Sequence, residues 1–457
     1  MAAADTDNDP RHARRPPATA TAPATPTAIP VPDLHHRAPS ADLRRRLTVV
    51  LTIVAAATVL GLVALWPRGD APEIGSFPRD YVDGTVEAVT ADQACTDIEV
   101  PEATASCVVY DVRLTSGPDE GDVVELAVRP SQLDVPQLAV GDDVVLRHFP
   151  DSPAEFRYAY EDFQRTTPLL WLLVAFVVAV LLLGRLQGLR ALAGLGLSLV
   201  VLVLFVVPAL LRDTPALPVA LVGCAAVAFL AIYLAHGVNV ASSIALAGTL
   251  SSLALTAVLA VVVAGATQLS GLASEEAQTL RITADALDLR GLLVAGIVIG
   301  ALGVLDDVTV SQVSTVAALR RANPGLGLWS LYREAYRVGR DHVASAVNTL
   351  VLAYAGAALP LLLLFAQGGQ PVARLVTGEL VAVEVVRMLV GSIGLVASVP
   401  ITTFLAAAIL ADAPPDALPA DDGHGHPHGH GHPHDPGRPG DATVPAPGRE
   451  RAPEPWF

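Results

Sequence analysis

Two adjacent aspartates, Asp306 and Asp307, lie in a stretch that otherwise has the composition of a membrane-embedded helix. Arg290 and Arg320 bound that stretch, and a helix between them is roughly 43 Å long, against about 30 Å for the hydrocarbon core of a bilayer. If the helix is centred, Asp307 lies near mid-bilayer; if Arg290 marks the outer edge, the pair lies within about 5 Å of the inner edge. A carboxylate there costs at least roughly 2.5–3.5 kcal/mol and normally faces a bundle interior or a water-filled cavity. The pair is therefore a candidate site for binding a cation or a proton.

One face of this predicted helix combines small and polar residues. Residues three or four apart on a helix share a face, and here they are Gly296, Gly300, Gly303, Asp307, Ser311 and Ser314. Small residues let a neighbouring helix approach closely, and polar residues in a bundle need partners. Asp306 falls on a more apolar flank. The spacing predicts that Asp307 is the functional carboxylate and that Ser311 lines the path; alternatively, Asp307 only hydrogen-bonds a neighbouring helix.

Other predicted spans carry polar residues that could serve the same site. Glu384 and Arg387 are i,i+3 neighbours that could neutralise each other in lipid. Arg387 could instead reach Asp307, and Glu384 could be an end charge at the outer interface. Asn348 is predicted to be a buried amide. Another span has a polar stripe of Asn239, Ser242, Thr249, Ser252 and Thr256. Such polar seams fit a lined cavity and a hydrogen-bonded bundle equally well.

Composition places the chain among polytopic membrane proteins. Of its 457 residues, 52% are hydrophobic and only 16% are charged, well below the quarter or so that is typical of soluble domains. All 29 basic residues are arginine, which excludes a P-loop or Schiff-base lysine supplied by this chain. The patterns HExxH and GxSxG are absent, and so is the glycine-x-glycine-aspartate of intramembrane proteases. The sequence therefore predicts no enzyme, and the net charge of −16 gives no support to nucleic-acid binding.

Apolar runs and alternating patterns divide the chain into five segments. The predicted segments are a disordered Pro/Ala-rich tail (1–42), a membrane anchor (47–65), a β-domain (67–166), a seven-span bundle (168–411) and a His/Pro-rich tail (412–457). The predicted fold is an all-α polytopic transmembrane bundle of about eight spans with a small β-barrel-like domain. After the anchor, the predicted spans are about 168–184, 189–211, 216–235, 240–265, 291–315, 343–366 and 381–411. About five short strands suggest that barrel, and the OB fold is one candidate type.

The distribution of charge predicts the orientation. Arginines cluster before the first span and in alternate loops, whereas residues 66–166 hold 21 acidic and 7 basic residues. Because arginine-rich loops stay in the cytoplasm, both termini are predicted to be cytoplasmic and the β-domain extracytoplasmic. Cys95 and Cys107 both belong to that outer domain, where oxidation is permitted. They are a candidate disulfide, or else two reduced thiols. Cys224 lies within a span and is predicted to be a packing residue.

The C-terminal tail has a histidine tract. Its six alternating members are His424, His426, His428, His430, His432 and His434. Neutral imidazoles on a flexible segment can gather a divalent cation such as Zn²⁺ or Ni²⁺ weakly. The alternative is a solvated low-complexity tail, and no other cofactor is predicted.

An ordered series of motifs resembles the YibE/F family of bacterial membrane proteins. The motifs are Gly300-Ala-Leu-Gly-Val-Leu-Asp-Asp-Val-Thr-Val-Ser-Gln312, Ala322-Asn-Pro, Gly339-Arg-Asp341, Val347-Asn-Thr-Leu-Val-Leu-Ala-Tyr354 and the segment 384–400. The resemblance covers roughly residues 80–411 and leaves out both tails. The family's usual motif has one aspartate, which matches Asp307 and leaves Asp306 as an addition. The resemblance implies a multi-pass protein of the bacterial inner membrane with an external β-domain, and it implies no known activity.

Two functions from different classes fit the sequence. The first is a permease or ion-coupled transporter of a small solute or ion, in which Asp307 binds a cation or a proton, Glu384 and Arg387 tune it, and Asn348 with Ser311 lines the path. The second is a non-transporting envelope factor, whose bundle anchors a β-domain that binds a partner protein. The lipid bilayer is the one partner that both readings require.

Overall fold

A computed structural model describes residues 39–69, 80–94, 106–128, 136–153, 156–212, 214–283, 287–367 and 371–413. The helices are α1 (Pro39–Ala64), α2 (Thr166–Val201), α3 (Val207–Leu211), α4 (Ala216–His236), α5 (Val240–Ala266), α6 (Glu275–Thr283), α7 (Leu289–Ala322), α8 (Leu328–Ala357), α9 (Leu359–Gln367), α10 (Val372–Thr377) and α11 (Glu379–Leu410). The strands are β1 (Tyr81–Ala94), β2 (Ser106–Leu114), β3 (Val123–Val128), β4 (Asp143–His148) and β5 (Tyr158–Phe163).

Six helical stretches within the described residues are long and apolar enough to cross a membrane. They are 42–64, 166–211, 216–236, 240–266, 289–322 and 379–410. The predicted count of eight spans is therefore not confirmed. The predicted span 343–366 is interrupted at Ala358 between α8 and α9, and the first half of α8 is rich in charged residues.

The second of these stretches contains a sharp bend. Arg185 has a φ of 48° and a ψ of −126°, which no α-helix accommodates. Immediately after the bend, a side chain on Gly188 would lie 2.5 Å from the carbonyl oxygen of Val180, eight residues earlier. An uninterrupted helix would separate these residues by about 12 Å. The bend falls between two predicted spans, 168–184 and 189–211, so the stretch 166–211 consists of two helices that meet at Arg185.

Helices α5, α7 and α11 pack against one another and form the centre of the bundle. Their inner faces bury large apolar side chains, among them Leu246, Leu253, Ile297, Leu305 and Leu395. In a membrane such contacts stabilise through dense packing rather than through exclusion of water. Glycines let α5 and α11 approach closely, because a Cβ on Gly248 would lie 2.3 Å from Thr402 Oγ1 and a Cβ on Gly394 would lie 2.1 Å from Thr256 Oγ1.

The helix ends show how the bundle is threaded. At one end, called here the arginine end, the start of α1 packs with the starts of α5 and α8 and with the ends of α7 and α11; the contacts include Leu43, Ile244, Val316, Leu331 and Leu410. At the opposite end, Glu379 accepts hydrogen bonds from Ser270 and Gly271. The first residues of α1 and the last residues of α11 therefore lie on the same side of the bundle, at the arginine end.

The soluble segment forms one antiparallel sheet with the order β3-β2-β1-β4-β5. The sheet curls into a half-barrel around a core that includes Val86, Val112, Leu114, Val144 and Leu146, all at most 1% exposed. The sheet has five strands, which matches the approximate number that the sequence predicted. Within the described residues β3 and β5 form no ladder, so the barrel is open, and the OB type stays a prediction.

Several predictions fall on residues outside the described ranges. These are most of the N-terminal tail, the histidine tract 424–434 and Cys95, so the metal-binding and disulfide predictions stay as such. Helix α1 begins at Pro39, inside the segment predicted to be a tail. Cys224 is a free, buried thiol in the apolar core, as the sequence predicted.

Candidate functional site

The aspartate pair lies at the middle of α7. Asp306 follows Leu289 by 17 residues and precedes Ala322 by 16, which places it about 25 Å from each end of the helix. Asp306 is partly buried, whereas Asp307 is exposed. The prediction that Asp307 faces the bundle interior is therefore wrong, and Asp306 is the inward-facing carboxylate.

The small-residue face of α7 points away from the centre of the bundle. Its exposed members are Gly296, Gly300, Gly303, Asp307 and Ser314, with Ser311 half-buried. A Cβ added to Gly296 or Gly303 would meet no atom within 4 Å. The opposite face carries Leu302 and Leu305 and packs into the core. Larger side chains make many more dispersion contacts, and this is the physical reason why they, and not the glycines, face α5 and α11.

Asp306 has an unsatisfied oxygen. Its Oδ1 atom is buried and has no hydrogen-bond partner among the described residues. One turn further along α7, the hydroxyls of Thr309 and Thr249 of α5 lie 2.6 Å apart. Since α5 and α7 are antiparallel, the residue three positions after Thr249 is level with the residue three positions before Thr309. Ser252 of α5 is therefore level with Asp306, and its buried Oγ also lacks a partner.

Helix α11 adds two further hydroxyls with spare hydrogen-bonding capacity. Thr402 Oγ1 and Ser392 Oγ are buried and unpartnered in the described part of the chain. Buried polar atoms are nearly always paired with protein, water or an ion. Ser392 and Thr402 are ten residues, or about 15 Å, apart along α11, so they do not form one cluster with Asp306. The open oxygens of Asp306 and Ser252, which lie at one level, are the hard oxygen ligands that small cations and protons prefer.

A buried glutamine connects this polar core with α8. Gln312 of α7 is 3% exposed, and its Nε2 donates to the carbonyl oxygen of Ala335 at 2.8 Å and to Thr403 Oγ1 at 2.7 Å. Sequence reasoning identified the Ser/Thr stripe of α5 but missed Thr309 and Gln312. The signal was available, because Asp306, Thr309 and Gln312 follow one another at intervals of three and so continue one side of the helix.

The remaining predicted residues lie apart from this core. Arg387 donates to both carboxylate oxygens of Glu384, at 2.9 and 3.2 Å, so these two charges neutralise each other. Arg387 does not form an ion pair with Asp307 in the described residues. Asn348 is exposed, and the prediction of a buried amide is wrong, since α8 turns Val343 towards the core instead.

A cavity of about 330 Å³ approaches the polar core from the arginine end. Its wall on α7 includes Val310, which follows Asp306 by one helical turn, or about 6 Å. Ala245 of α5 also lines it, one turn before Thr249. The described residues contain no cluster of three or more His, Cys, Asp or Glu side chains suited to a metal ion.

Comparison with known proteins identifies one family. The family model described as YibE/F-like protein matches residues 172–412, which is more than half of the chain. The match contains the bundle from α2 to α11 and begins after the β-domain, although the motif resemblance extended to about residue 80. No curated protein and no solved structure matches.

Proposed function

This chain belongs to the YibE/F-like family, and we propose that it is an ion-coupled permease for a small solute or ion. The observation that carries the proposal is the partly buried carboxylate of Asp306 with an unpartnered oxygen, at the middle of a membrane-spanning helix. A carboxylate in lipid is costly, and such residues typically mark ion pathways and proton relays. Asp306 takes the role of the cation- or proton-binding group.

The surroundings of Asp306 support this role. The unpartnered hydroxyl of Ser252 supplies a second oxygen at the same level of the bundle. One turn away, the hydrogen bond between the Thr249 and Thr309 hydroxyls joins α5 to α7. The cavity at the arginine end ends about one turn from Asp306, so a proton carried by water reaches the carboxylate from that side after a short movement of side chains. Asp307 stays outside this pathway.

We also propose the orientation of the protein in a bacterial inner membrane. Arginines gather where α1 starts and α7 ends, and the arginine-rich side of a membrane protein is cytoplasmic. Both termini are then cytoplasmic and the half-barrel is extracytoplasmic. The acidic surplus of that domain would raise the local cation concentration modestly at low salt.

Asp306→Asn tests the permease directly, with Asp307→Asn as the matched control. The purified full-length protein is reconstituted into proteoliposomes, and uptake of a panel of small solutes and ions is measured under an imposed Na⁺ or H⁺ gradient. We expect gradient-dependent uptake to fall at least about tenfold in Asp306→Asn, because the amide holds neither a proton nor a cation, and to persist in Asp307→Asn. Persistent uptake by a folded Asp306→Asn protein, or none across the panel with wild type, would overturn the proposal.

The envelope-factor hypothesis from the sequence predicts a different pattern. If the bundle only anchors the β-domain, a cellular function of the protein survives Asp306→Asn and is lost when residues 80–160 are deleted. If the permease proposal is correct, Asp306→Asn abolishes that function on its own. Complementation of a deletion strain by the two variants distinguishes the two hypotheses.

A further inference from the structure

The cavity at the arginine end is lined by polar and basic side chains that a route to Asp306 does not require. It lies between α2, α4, α5 and α7, and its polar lining includes Gln187, Arg190, His236, Asn239, Ser314 and Arg321. Its volume of about 330 Å³ lies within the range of small-molecule sites. The cavity is therefore large enough to hold a molecule with several heavy atoms and is larger than a bare cation needs.

The charge of the lining favours an anion. Arg190 and Arg321 line the cavity, and no carboxylate does so among the described residues. Because Arg321 already interacts with another group, Arg190 is the main charge that the cavity offers to a ligand. Arg190 is exposed and forms no ion pair within the described ranges. A cleft lined by one sign of charge between low-dielectric walls concentrates ions of the opposite sign.

The N-terminus of α5 adds partial positive charge from a second direction. Asn239 caps this 27-residue helix by accepting a hydrogen bond from the Ser242 backbone N–H at 2.9 Å. Ser242 lines the cavity with its N–H occupied by this cap, whereas Ala241 lines it with a first-turn N–H that no residue of the helix accepts. A long helix carries about half a unit of positive charge at its N-terminus, where free N–H groups bind phosphates and other anions.

The side chain of Asn239 holds this corner in place. Its Nδ2 donates to the carbonyl oxygen of His236 at 2.8 Å, which joins the end of α4 to the start of α5. The part of the α7 wall nearest its middle includes Val313, Ser314 and Ala317. These side chains are small or apolar, so they leave room for a ligand between Arg190 and the helix terminus.

We propose that this cavity binds a phosphate group, with Arg190 and the N-terminus of α5 as its principal contacts. Arginine pairs with phosphate through two parallel N–H···O bonds, and the helix terminus supplies backbone donors. The phosphate belongs either to a small soluble molecule or to the headgroup of an anionic lipid, which share this chemistry. The site does not depend on the permease proposal, since binding here requires no transport.

Binding by the purified full-length protein tests the site and separates the two sources. In one arm, inorganic phosphate is titrated into detergent-solubilised protein by equilibrium dialysis. In the other, the protein is reconstituted into nanodiscs of phosphatidylcholine with or without phosphatidylglycerol, and the phosphatidylglycerol molecules that stay bound to the protein are counted by native mass spectrometry. Arg190→Gln is compared with Arg333→Gln, which removes an exposed arginine of α8 that does not line the cavity.

We expect Arg190→Gln to weaken binding about tenfold or more in the arm that holds the natural ligand type, because a charge-assisted pair is lost. Arg333→Gln should leave that binding within about twofold. Ser314→Leu, which fills the cavity without changing its charge, should also abolish binding. Equal binding by wild type and Arg190→Gln in both arms, or no saturable binding in either, would overturn the proposal. Neither result bears on ion-coupled uptake, which Asp306→Asn tests separately.

Discussion

Replacing Gly394 with alanine should separate two helices at the centre of the bundle. The added Cβ would lie 2.1 Å from Thr256 Oγ1 and 3.3 Å from Thr256 Cβ. The same arrangement recurs in reverse, where Gly248 of α5 faces Thr402 of α11 at 2.3 Å. Both threonines are fully buried, so neither side chain can move aside into open space.

The expected magnitude follows from two opposing effects. Overpacking a dense core costs about 1–3 kcal/mol, whereas alanine is favoured over glycine in a helix by about 0.8–1 kcal/mol. The net destabilisation of Gly394→Ala is then between about zero and 2 kcal/mol. Gly303→Ala is the matched control, because Gly303 is also within a long helix but has no atom near its Cβ position. Its helix propensity gain is the same, so the two variants should differ by the overpacking cost alone, about 1–3 kcal/mol.

Reversible unfolding of the full-length protein in mixed detergent and SDS micelles, followed by circular dichroism, measures this difference. Thr256→Ala in the Gly394→Ala background should recover at least about 0.5 kcal/mol, since it removes the oxygen that the new Cβ meets. If Gly394→Ala and Gly303→Ala unfold with free energies within about 0.5 kcal/mol of each other, the interlocked packing of α5 and α11 is refuted.

Two further predictions concern polar contacts outside the central core. Tyr158 donates a hydrogen bond to Asp119 at 2.6 Å, and burial, followed by that bond, raises the pKa of Tyr158 to about 12. The stabilisation from this hydrogen bond is then complete below about pH 10 and is lost as the pH rises towards 12. Tyr158→Phe should cost about 1 kcal/mol of folding free energy at neutral pH and reduce the alkaline loss of stability. A Tyr158 phenolate absorbance that titrates at the ordinary pKa of tyrosine would contradict this prediction. Arg387→Met should destabilise the bundle by about 1 kcal/mol, because it leaves Glu384 unpaired. Adding Glu384→Gln should restore the free energy of unfolding in the same SDS assay. Equal free energies of unfolding for the single and the double variant would show that the ion pair contributes nothing.

The family assignment and the helical elements of the bundle were predictable because their signals are local. The apolar run predicted a span over 291–315, and α7 starts two residues earlier and ends seven residues later, since hydrophobic length is read directly along the chain. Alternation predicted about five strands in the soluble segment for the same reason. The break at Arg185 was predicted as a connection between two spans, and the backbone leaves the helical conformation there.

The orientation of each helix about its own axis was decided by tertiary packing. Asp306 and Asp307 are one residue apart, which is about 100° of rotation around the helix. Residue spacing alone placed Asp307 on the face that carries the small and polar residues. Only the packing of α5 and α11 on Leu305 and Thr309 shows that the adjacent flank is the interior. The sequence by itself determined that a charge lies in the apolar part of α7. Which carboxylate faces inward depends on the shapes of residues far away in the chain, because dense packing is a property of the assembled helices and not of any one of them.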